Sequence, residues 1–205
     1  INTWPALTAN AHNATQPVGG NQPVYVTNFQ NGNAVVRFNG ASSYMSGALG
    51  ASFNAPFTLF VVNRFALVNQ GVDDNDYVFD LGVPVPLLNQ PGARASIARR
   101  RSNDAIPRTN RYYSFQGDAM HYGPAISGNV FHSFAGVYQL ASPYHQLYQN
   151  GNVALSAPGN SPIVTNGAYH LGRLNNTSDV NYFLNGDIAE VIVYNTSLSS
   201  SQVRI

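Results

Sequence analysis

The chain has 205 residues, of which 44% are hydrophobic and only 9% are charged, and its formal net charge is +1. An average soluble domain has roughly 25% charged residues, so the surface of this chain is expected to be neutral and polar, as suits a protein outside cells. The absence of Cys and Lys excludes disulfides, thiolate metal ligands, Schiff-base catalysis and the phosphate-binding Lys of a P-loop.

The predicted elements are short strands that are rich in aromatic or β-branched residues and separated by Gly, Pro, Asn or Asp clusters. In chain order they are Val24 to Thr27, Ala34 to Phe38, Phe57 to Phe65, Tyr77 to Leu81, Ala95 to Arg100, Arg111 to Phe115, Val130 to Tyr138, Gln146 to Tyr148, Ala168 to Leu171 and Ile188 to Tyr194. Many short strands without a sustained helical period indicate an all-β fold, an antiparallel β-sandwich or jelly roll. One core suffices for this length, so residues 1–205 are predicted to form a single domain.

The last twenty-five residues carry the strongest local signals. An Asn185-Gly186 turn precedes the apolar run Ile188 to Tyr194, which predicts a central strand buried on both faces. Ser199 and Gln202 have the spacing of a capping box, so a short helical turn is expected at the end of the chain.

The run from Asn185 to Tyr194, Asn-Gly-Asp-Ile-Ala-Glu-Val-Ile-Val-Tyr, resembles the C-terminal signature of laminin-G-like domains, members of the concanavalin A-like jelly-roll superfamily. Further blocks are similar to the opening strands, the paired central strands and the penultimate strand of that domain type: Trp4, Asn13 to Gln16, Asn33 to Gly40, Phe131 to Tyr138, Gln146 to Val153 and Ala168 to Arg173. Phe131 stands where the family usually has Trp. The resemblance implies an extracellular and mostly glycan-facing function.

The carboxylates of the chain do not form the paired arrangement that a glycan-cleaving enzyme needs. Glu190 is the only Glu, and Asp187 lies three residues before it, so the two would face opposite sides of a regular strand. A bulge would bring them together, yet the Glu-x-Asp-x-x-Glu pattern of the related glucanases is absent. No Gly-x-Ser-x-Gly elbow occurs either. The sequence therefore predicts a protein that is not an enzyme.

The densest acidic cluster predicts a calcium site, because Ca²⁺ takes several oxygen ligands and clustered Asp residues supply them. Its candidate ligands are Asp73, Asp74, Asp76 and Asp80. Laminin-G-like domains often carry Ca²⁺, which supports this interpretation. The alternative is a solvated acidic turn.

Six of the ten Arg residues lie between Arg94 and Arg111, where Asp104 is the only acid. Guanidinium groups bind sulfate, phosphate or carboxylate groups in pairs of hydrogen bonds, and neighbouring Tyr rings offer flat faces to sugars. The candidate ligand-binding residues are Arg99, Arg101, Arg111, Tyr112, Tyr113, His121 and Tyr122. The alternative is a solvated ridge, since Arg99 and Arg101 share one face of a strand and Arg100 takes the other.

Taken together, these features predict a non-catalytic extracellular binding or adhesion module at a cell or virion surface, with polysaccharide or glycoconjugate as its partner. The alternative is a structural or decorating component of a surface layer or virion that packs against neighbouring copies or coat proteins, because a fold does not decide between these roles. A glycan-cleaving enzyme is the third possibility. Nucleic acid is not an expected partner at a net charge of +1, and no apolar run approaches the ~20 residues needed for membrane insertion.

Overall fold

The computed structural model describes residues 1–8, 10–66, 75–82, 94–100, 111–116, 119–157, 162–175 and 182–204. Within these residues the chain forms seventeen strands, a 3-10 turn at Gly19–Asn21 and a C-terminal helix, α1, at Ser200–Val203. The strands are β1 Thr3–Trp4, β2 Ala14–Thr15, β3 Val24–Gln30, β4 Asn33–Asn39, β5 Met45–Ala48, β6 Phe53–Asn54, β7 Phe57–Phe65, β8 Asn75–Gly82, β9 Arg94–Arg100, β10 Arg111–Gln116, β11 Ala119–Ala125, β12 Phe131–Tyr138, β13 His145–Gln149, β14 Asn152–Ala157, β15 Val164–Thr165, β16 Ala168–Leu171 and β17 Asn185–Tyr194.

Two large antiparallel sheets make up the structure. The eight-stranded sheet has the order β1-β2-β5-β16-β8-β9-β10-β11, and the seven-stranded sheet has the order β14-β13-β12-β7-β17-β4-β3. A small sheet pairs β15 with β6. Alternate side chains of both large sheets, such as Leu59 and Val61 from β7 and Phe79 and Ile97 from β8 and β9, form one hydrophobic core. The predicted all-β sandwich is confirmed.

The predicted strands recur in the structure, most of them longer by one to three residues at an end, and the sequence also missed several. β11 was missed because it contains Gly123 and Pro124, which are unusual in a strand. It lies at the edge of the eight-stranded sheet, where a missing N–H is tolerated. β5 was missed because its sequence, Met-Ser-Gly-Ala, has none of the β-branched or aromatic residues that mark strands.

The last strand, β17, is central for only part of its length. It pairs with both β4 and β7 as far as Ile188, and a bulge follows between Ile188 and Glu190. Beyond the bulge it pairs only with β7, and Ile192 and Tyr194 are 36% and 43% exposed. The expected burial on both faces therefore holds up to Ile188 and not after it.

The predicted capping box is present at the start of α1. The backbone N–H of Ser199 donates to Oε1 of Gln202 over 2.9 Å. Val203 in this helix is buried against Val137 and Tyr148 of the seven-stranded sheet. Among the described residues, no helix has the length and apolar character to cross a membrane.

Two isoleucines of β17 provide a matched test of this arrangement. Ile188 is fully buried, so Ile188→Ala should lower the free energy of unfolding by about 2–5 kcal/mol through lost burial and a residual cavity. Ile192→Ala, at an open position of the same strand, should cost less than about 1 kcal/mol. Urea denaturation of both variants checks this, and equal losses would contradict the change in environment at the bulge.

Candidate functional site

Arg99 and Asp76 form a buried ion pair inside the sandwich. Nε of Arg99 donates to Oδ2 of Asp76 over 2.9 Å, and Arg99 is only 2% exposed. Nη1 of Arg99 donates to the carbonyl of Ala66 over 3.2 Å, and the N–H of Asn185 donates to Oδ1 of Asp76 over 3.0 Å. The guanidinium carbon lies 4.7 Å from the ring centre of Phe65. Because Ala66 directly follows β7 and Asn185 begins β17, two strands of the seven-stranded sheet, the pair ties the two sheets together.

The expected ligand site does not assemble as one surface. Arg99 is occupied by Asp76, and Tyr112 is fully buried in the core, where its ring stacks on Phe134 at 4.0 Å. His121 faces the interior, with its ring 5.4 Å from that of His145. Hydrophobic burial and ion pairing therefore place these three side chains in structural positions.

The remaining described members of the expected ligand site lie on the paired strands β10 and β11. Arg111 is exposed at the start of β10, and Arg101 lies outside the described residues. The backbone of Tyr113 pairs in register with Ala98 and Tyr122. Tyr122 is half-buried on the outer face of the eight-stranded sheet, so it is the member that takes part in the surface described below.

The two described acids of the expected calcium site face opposite sides of β8. They are four residues apart and would share a face in a regular strand, but a register shift between Tyr77 and Phe79 reverses the alternation. Asp76 points inward to Arg99, whereas Asp80 points outward to Arg94. Asp73 and Asp74 lie outside the described residues, and the residues that are described contain no group of three His, Cys, Asp or Glu placed to hold a metal. Calcium binding stays a prediction.

Asp80 belongs to a buried polar cluster on the outer face of the eight-stranded sheet, made of Asp80, Arg94, Ser96, His170 and Asn175. His170, Asp80 and Ser96 lie side by side in register on three adjacent strands. Asp80 accepts the N–H of Asn175 over 2.7 Å, and Nη2 of Arg94 donates to the Asn175 carbonyl over 2.6 Å. Nε of Arg94 is 3.3 Å from Oδ1 of Asp80, an ion pair without hydrogen-bond geometry.

Several atoms of this cluster have unused hydrogen-bonding capacity. In the described part of the chain, Nδ1 of His170, Oγ of Ser96 and Nη1 of Arg94 have no hydrogen-bond partner. Burial raises the pKa of Asp80 to about 6, although Arg94 and the N–H of Asn175 oppose the rise. Burial also lowers the pKa of His170 to about 4, helped by the charges of Arg173 and Arg94. The cluster therefore favours an uncharged His170 and makes Asp80 a weaker acid than an exposed aspartate.

Half-exposed side chains beside this cluster form what we call the aromatic row: Tyr44, Arg173, Phe183, Tyr182 and Tyr122. The Tyr44 and Phe183 rings are 6.3 Å apart, and the guanidinium carbon of Arg173 lies 4.6 Å from the first and 5.9 Å from the second. Tyr44 also contacts His170 of the polar cluster, with ring centres 5.6 Å apart. The row thus places flat rings and a cation next to hydrogen-bonding groups.

Tyr182 continues the row toward Tyr122. Its ring stacks on the buried Tyr77 at 6.0 Å and 13°, and Tyr122 packs against the same small cluster, which includes Leu174. The backbone of Tyr182 has φ +44°, a left-handed conformation that is strained for a bulky residue. Such strain of roughly 1–3 kcal/mol is retained where the surrounding structure fixes a side chain, often at functional positions.

Sequence reasoning missed Tyr44, Arg173, Tyr182 and Phe183 because they come from distant segments. One signal was available: alternation along Ala168 to Leu171 places His170 opposite Tyr169 and Leu171, which are both buried in the core. Gly172 then has φ +77°, and an added Cβ would collide with the Phe38 ring. The turn at Gly172 therefore requires glycine and brings Arg173 back over the sheet.

Comparison with known protein families shows to which family the chain belongs. A laminin-G family model described as the concanavalin A-like lectin/glucanases superfamily matches residues 93–204, more than half of the chain. The chain belongs to this family. The matched region contains β9 to β17, and the resemblance inferred from the sequence blocks is confirmed. No curated protein sequence matches the chain significantly.

Solved structures share the sandwich at low sequence identity. Domain 4 of an extracellular arabinanase from Geobacillus stearothermophilus, in complex with arabinotriose, matches with a TM-score of 0.62 and 15% identity, over 89% of this chain and 80% of that one. A Trypanosoma rangeli sialidase in complex with sialic acid matches with a TM-score of 0.60 and 13% identity, over 100% and 35%. A heptameric SAP-like pentraxin from Limulus polyphemus matches with a TM-score of 0.56 and 12% identity, over 82% and 78%.

At these sequence identities, the solved structures show that the chain shares their fold and nothing further. The chain spans about a third of the length of the sialidase it matches. The activities and ligands of the neighbours therefore do not transfer directly, and a function has to be argued from the side chains of this chain.

Removal of one partner of the buried ion pair should be more harmful than removal of both. Arg99→Met leaves the Asp76 carboxylate buried without its guanidinium and should cost about 3–5 kcal/mol of unfolding free energy. The double change Arg99→Met with Asp76→Leu should recover part of that loss. Arg111→Met, at an exposed position, is the control and should change stability by less than about 0.5 kcal/mol. Additive losses in a double-mutant cycle would contradict the pairing.

Stability should fall as the pH is lowered from 6.5 toward 4. Burial lowers the pKa of His145 to about 3 and that of His170 to about 4, so in this range the unfolded chain binds protons that the folded chain does not. Asp80 acts in the opposite direction: its pKa is about 6 in the folded protein and 3.8 ordinarily, so the folded chain gains this proton first and is stabilised as the pH falls. The combined effect of the two histidines is larger than that of this single carboxyl group. In the His170→Gln variant, the fall in unfolding free energy between pH 6.5 and pH 4 should be smaller by roughly 1–3 kcal/mol.

This pH dependence is measured by urea denaturation at several pH values. His12→Gln is the matched control, because His12 lies in a surface segment outside both buried histidine environments. The same pH slope in the wild type and in His170→Gln would show that His170 is not kept neutral by burial.

Proposed function

We propose that the chain is a non-catalytic extracellular module that binds carbohydrate, and that the aromatic row is its binding surface. The observation that carries the proposal is the contiguous set of half-exposed rings with Arg173 over Tyr44 and close to Phe183. Binding sites of this kind combine apolar faces with a few polar groups that fix orientation. Arg173 and the hydroxyl of Tyr44 are such groups within the row itself.

The chemistry of the row fits a sugar chain. The apolar faces of pyranose or furanose rings pack on aromatic rings, while sugar hydroxyls need donors and acceptors. In the row, the phenol of Tyr44 can donate to and accept from a sugar hydroxyl, and the guanidinium of Arg173 can donate to one. A series of rings, rather than one deep pocket, suits a polysaccharide segment.

Arg173 adds a preference for acidic sugars. Among the described residues no carboxylate lies within ion-pair distance of its guanidinium, and Nε donates to the Leu174 carbonyl over 3.2 Å. The remaining N–H groups are the donors that bind sulfate or carboxylate oxygens with charge assistance. The electrostatic attraction expected earlier of Arg99 and Arg101 is therefore assigned here to Arg173.

The arrangement of the two acids of β17 supports a non-catalytic role. The bulge after Ile188 does place Asp187 and Glu190 on the same outer face of the seven-stranded sheet. Asp187, however, is fully buried and accepts Nε of Arg37 and Nε of Arg64, each over 2.7 Å. A buried carboxylate whose two oxygens are held by two guanidinium groups is not placed to attack a substrate or transfer a proton.

The neighbours support carbohydrate as the ligand class. The arabinanase domain is described in complex with arabinotriose, and that arabinanase is an extracellular protein. The low charge of this chain and its lack of Cys are compatible with the same environment. These similarities motivate the choice of glycans for a direct test.

Glycan binding should depend on the aromatic row. Tyr44→Ala and Phe183→Ala should each weaken binding by about three- to tenfold, as expected for the loss of one stacking ring. Arg173→Gln should weaken binding of sulfated or uronic-acid polysaccharides, and this contribution should shrink at 1 M salt, where the screening length is ~3 Å. Binding of neutral polysaccharides should change little in Arg173→Gln.

The measurement is calorimetric titration after a glycan array has selected one acidic and one neutral ligand. Tyr25→Ala is the matched control, because Tyr25 is 53% exposed and lies on β3 of the other sheet. Absence of glycan binding by the wild type would overturn the proposal and favour the structural or decorating role. Equal losses in Tyr25→Ala and Tyr44→Ala would overturn the assignment of the surface.

A further inference from the structure

The outer face of the seven-stranded sheet carries a groove beside helix α1, on the opposite side of the molecule from the aromatic row. Its volume is about 450 Å³, which is in the range of small-molecule sites. Phe60, Val62, Ile192, Tyr194 and Leu198 supply most of its apolar lining, and Glu190 is its only charged side chain. We call it the C-terminal groove.

The groove exists because small and large side chains alternate across three strands. Ala135 of β12 is in register with Phe60 on one side and with Tyr148 on the other, so two rings flank a methyl group. Helix α1 covers the Tyr148 side through Val203. β4 does not extend beside Ile192 and Tyr194, so the other side stays open to solvent.

Two rings form a corner at the open side. Phe60 and Tyr194 meet edge to face, with centroids 6.0 Å apart and planes at 77°. A group seated in this corner would contact the negative face of one ring while packing on the other. Such corners attract cations, since the quadrupole of each ring is negative on its face.

The single charge of the groove has the complementary sign. Glu190 is exposed, and within the described residues no cation lies within ion-pair distance of its carboxylate. Arg37 and Arg64 on this face are instead held by Asp187, and Arg204 lies near Tyr148, on the side of the groove away from Glu190. A carboxylate at one end of an apolar aromatic groove favours a ligand with a positive group at one end and an apolar body.

We propose that the C-terminal groove binds an organic cation, namely an alkylammonium group attached to an apolar ring or chain. The apolar body lies on Ile192 and Leu198, and the ammonium lies between Glu190 and the corner formed by Phe60 and Tyr194. This ligand class differs from the glycans of the aromatic row, and the two sites lie on different sheets. The two proposals can therefore fail separately.

A pair of probes that differ in charge but not in shape tests the proposal. Cyclohexylmethylamine is a cation at pH 7, whereas cyclohexylmethanol is neutral. We expect the amine to shift the backbone amide signals of Ile192 and Tyr194 in a nuclear magnetic resonance titration, and to bind roughly three- to thirtyfold more tightly than the alcohol. Equal affinity for the two compounds, or no binding of the amine, would overturn the proposal.

Two variants locate the site. Glu190→Gln keeps the size of the side chain and removes its charge. It should therefore weaken binding of the amine at least twofold and leave binding of the alcohol unchanged. Tyr194→Leu removes one ring of the corner and should weaken binding of the amine further. Tyr25→Leu, at an exposed position of β3, is the control and should have no effect. Unchanged amine binding in Glu190→Gln would overturn the proposal even if Tyr194→Leu failed to fold.

Discussion

The ion pair of Arg99 and Asp76 is the constraint on which the arrangement of both sheets depends. Two charges inside a hydrophobic core are tolerated only when each is paired and hydrogen-bonded. Here the additional partners are the carbonyl of Ala66, which directly follows β7, and the N–H of Asn185 in β17 of the opposite sheet. The pair therefore fixes the separation and register of the sheets at one end of the sandwich. The pair also keeps Arg99, an expected ligand-binding residue, away from the surface.

Strand alternation and the family blocks were sufficient to predict the sandwich, because a buried strand such as β7 places every second residue in the core. The candidate site was not predictable in the same way. Arg99 and Tyr112 have the residue types of a sugar site, but only the register shows that they face inward. Tyr44 and Phe183, more than a hundred residues apart in the sequence, meet because β5 and β16 are neighbours and the turn at Gly172 folds back.

The bulge in β17 has effects on both the core and the surface. Before it, Ile188 is buried between β4 and β7; after it, the strand has one neighbour and its outer side chains are open to solvent. The same extra residue places Glu190 on the side of Asp187, where alternation alone would separate them. The inserted position thus explains why the groove contains a carboxylate, and the end of the pairing with β4 explains why the groove is open.

The order of strands also determines when the fold can form. β16 lies between β5 and β8, and β17 lies between β4 and β7, although both strands come from the last forty residues of the chain. While the protein is being synthesised, each sheet consequently lacks a central strand until β16 and β17 have left the ribosome. Contacts between such distant segments slow folding and leave strand edges unpaired in the nascent chain. Until these two strands pair, the nascent sandwich is open to association through the edges of β4 and β7 in one sheet and of β5 and β8 in the other.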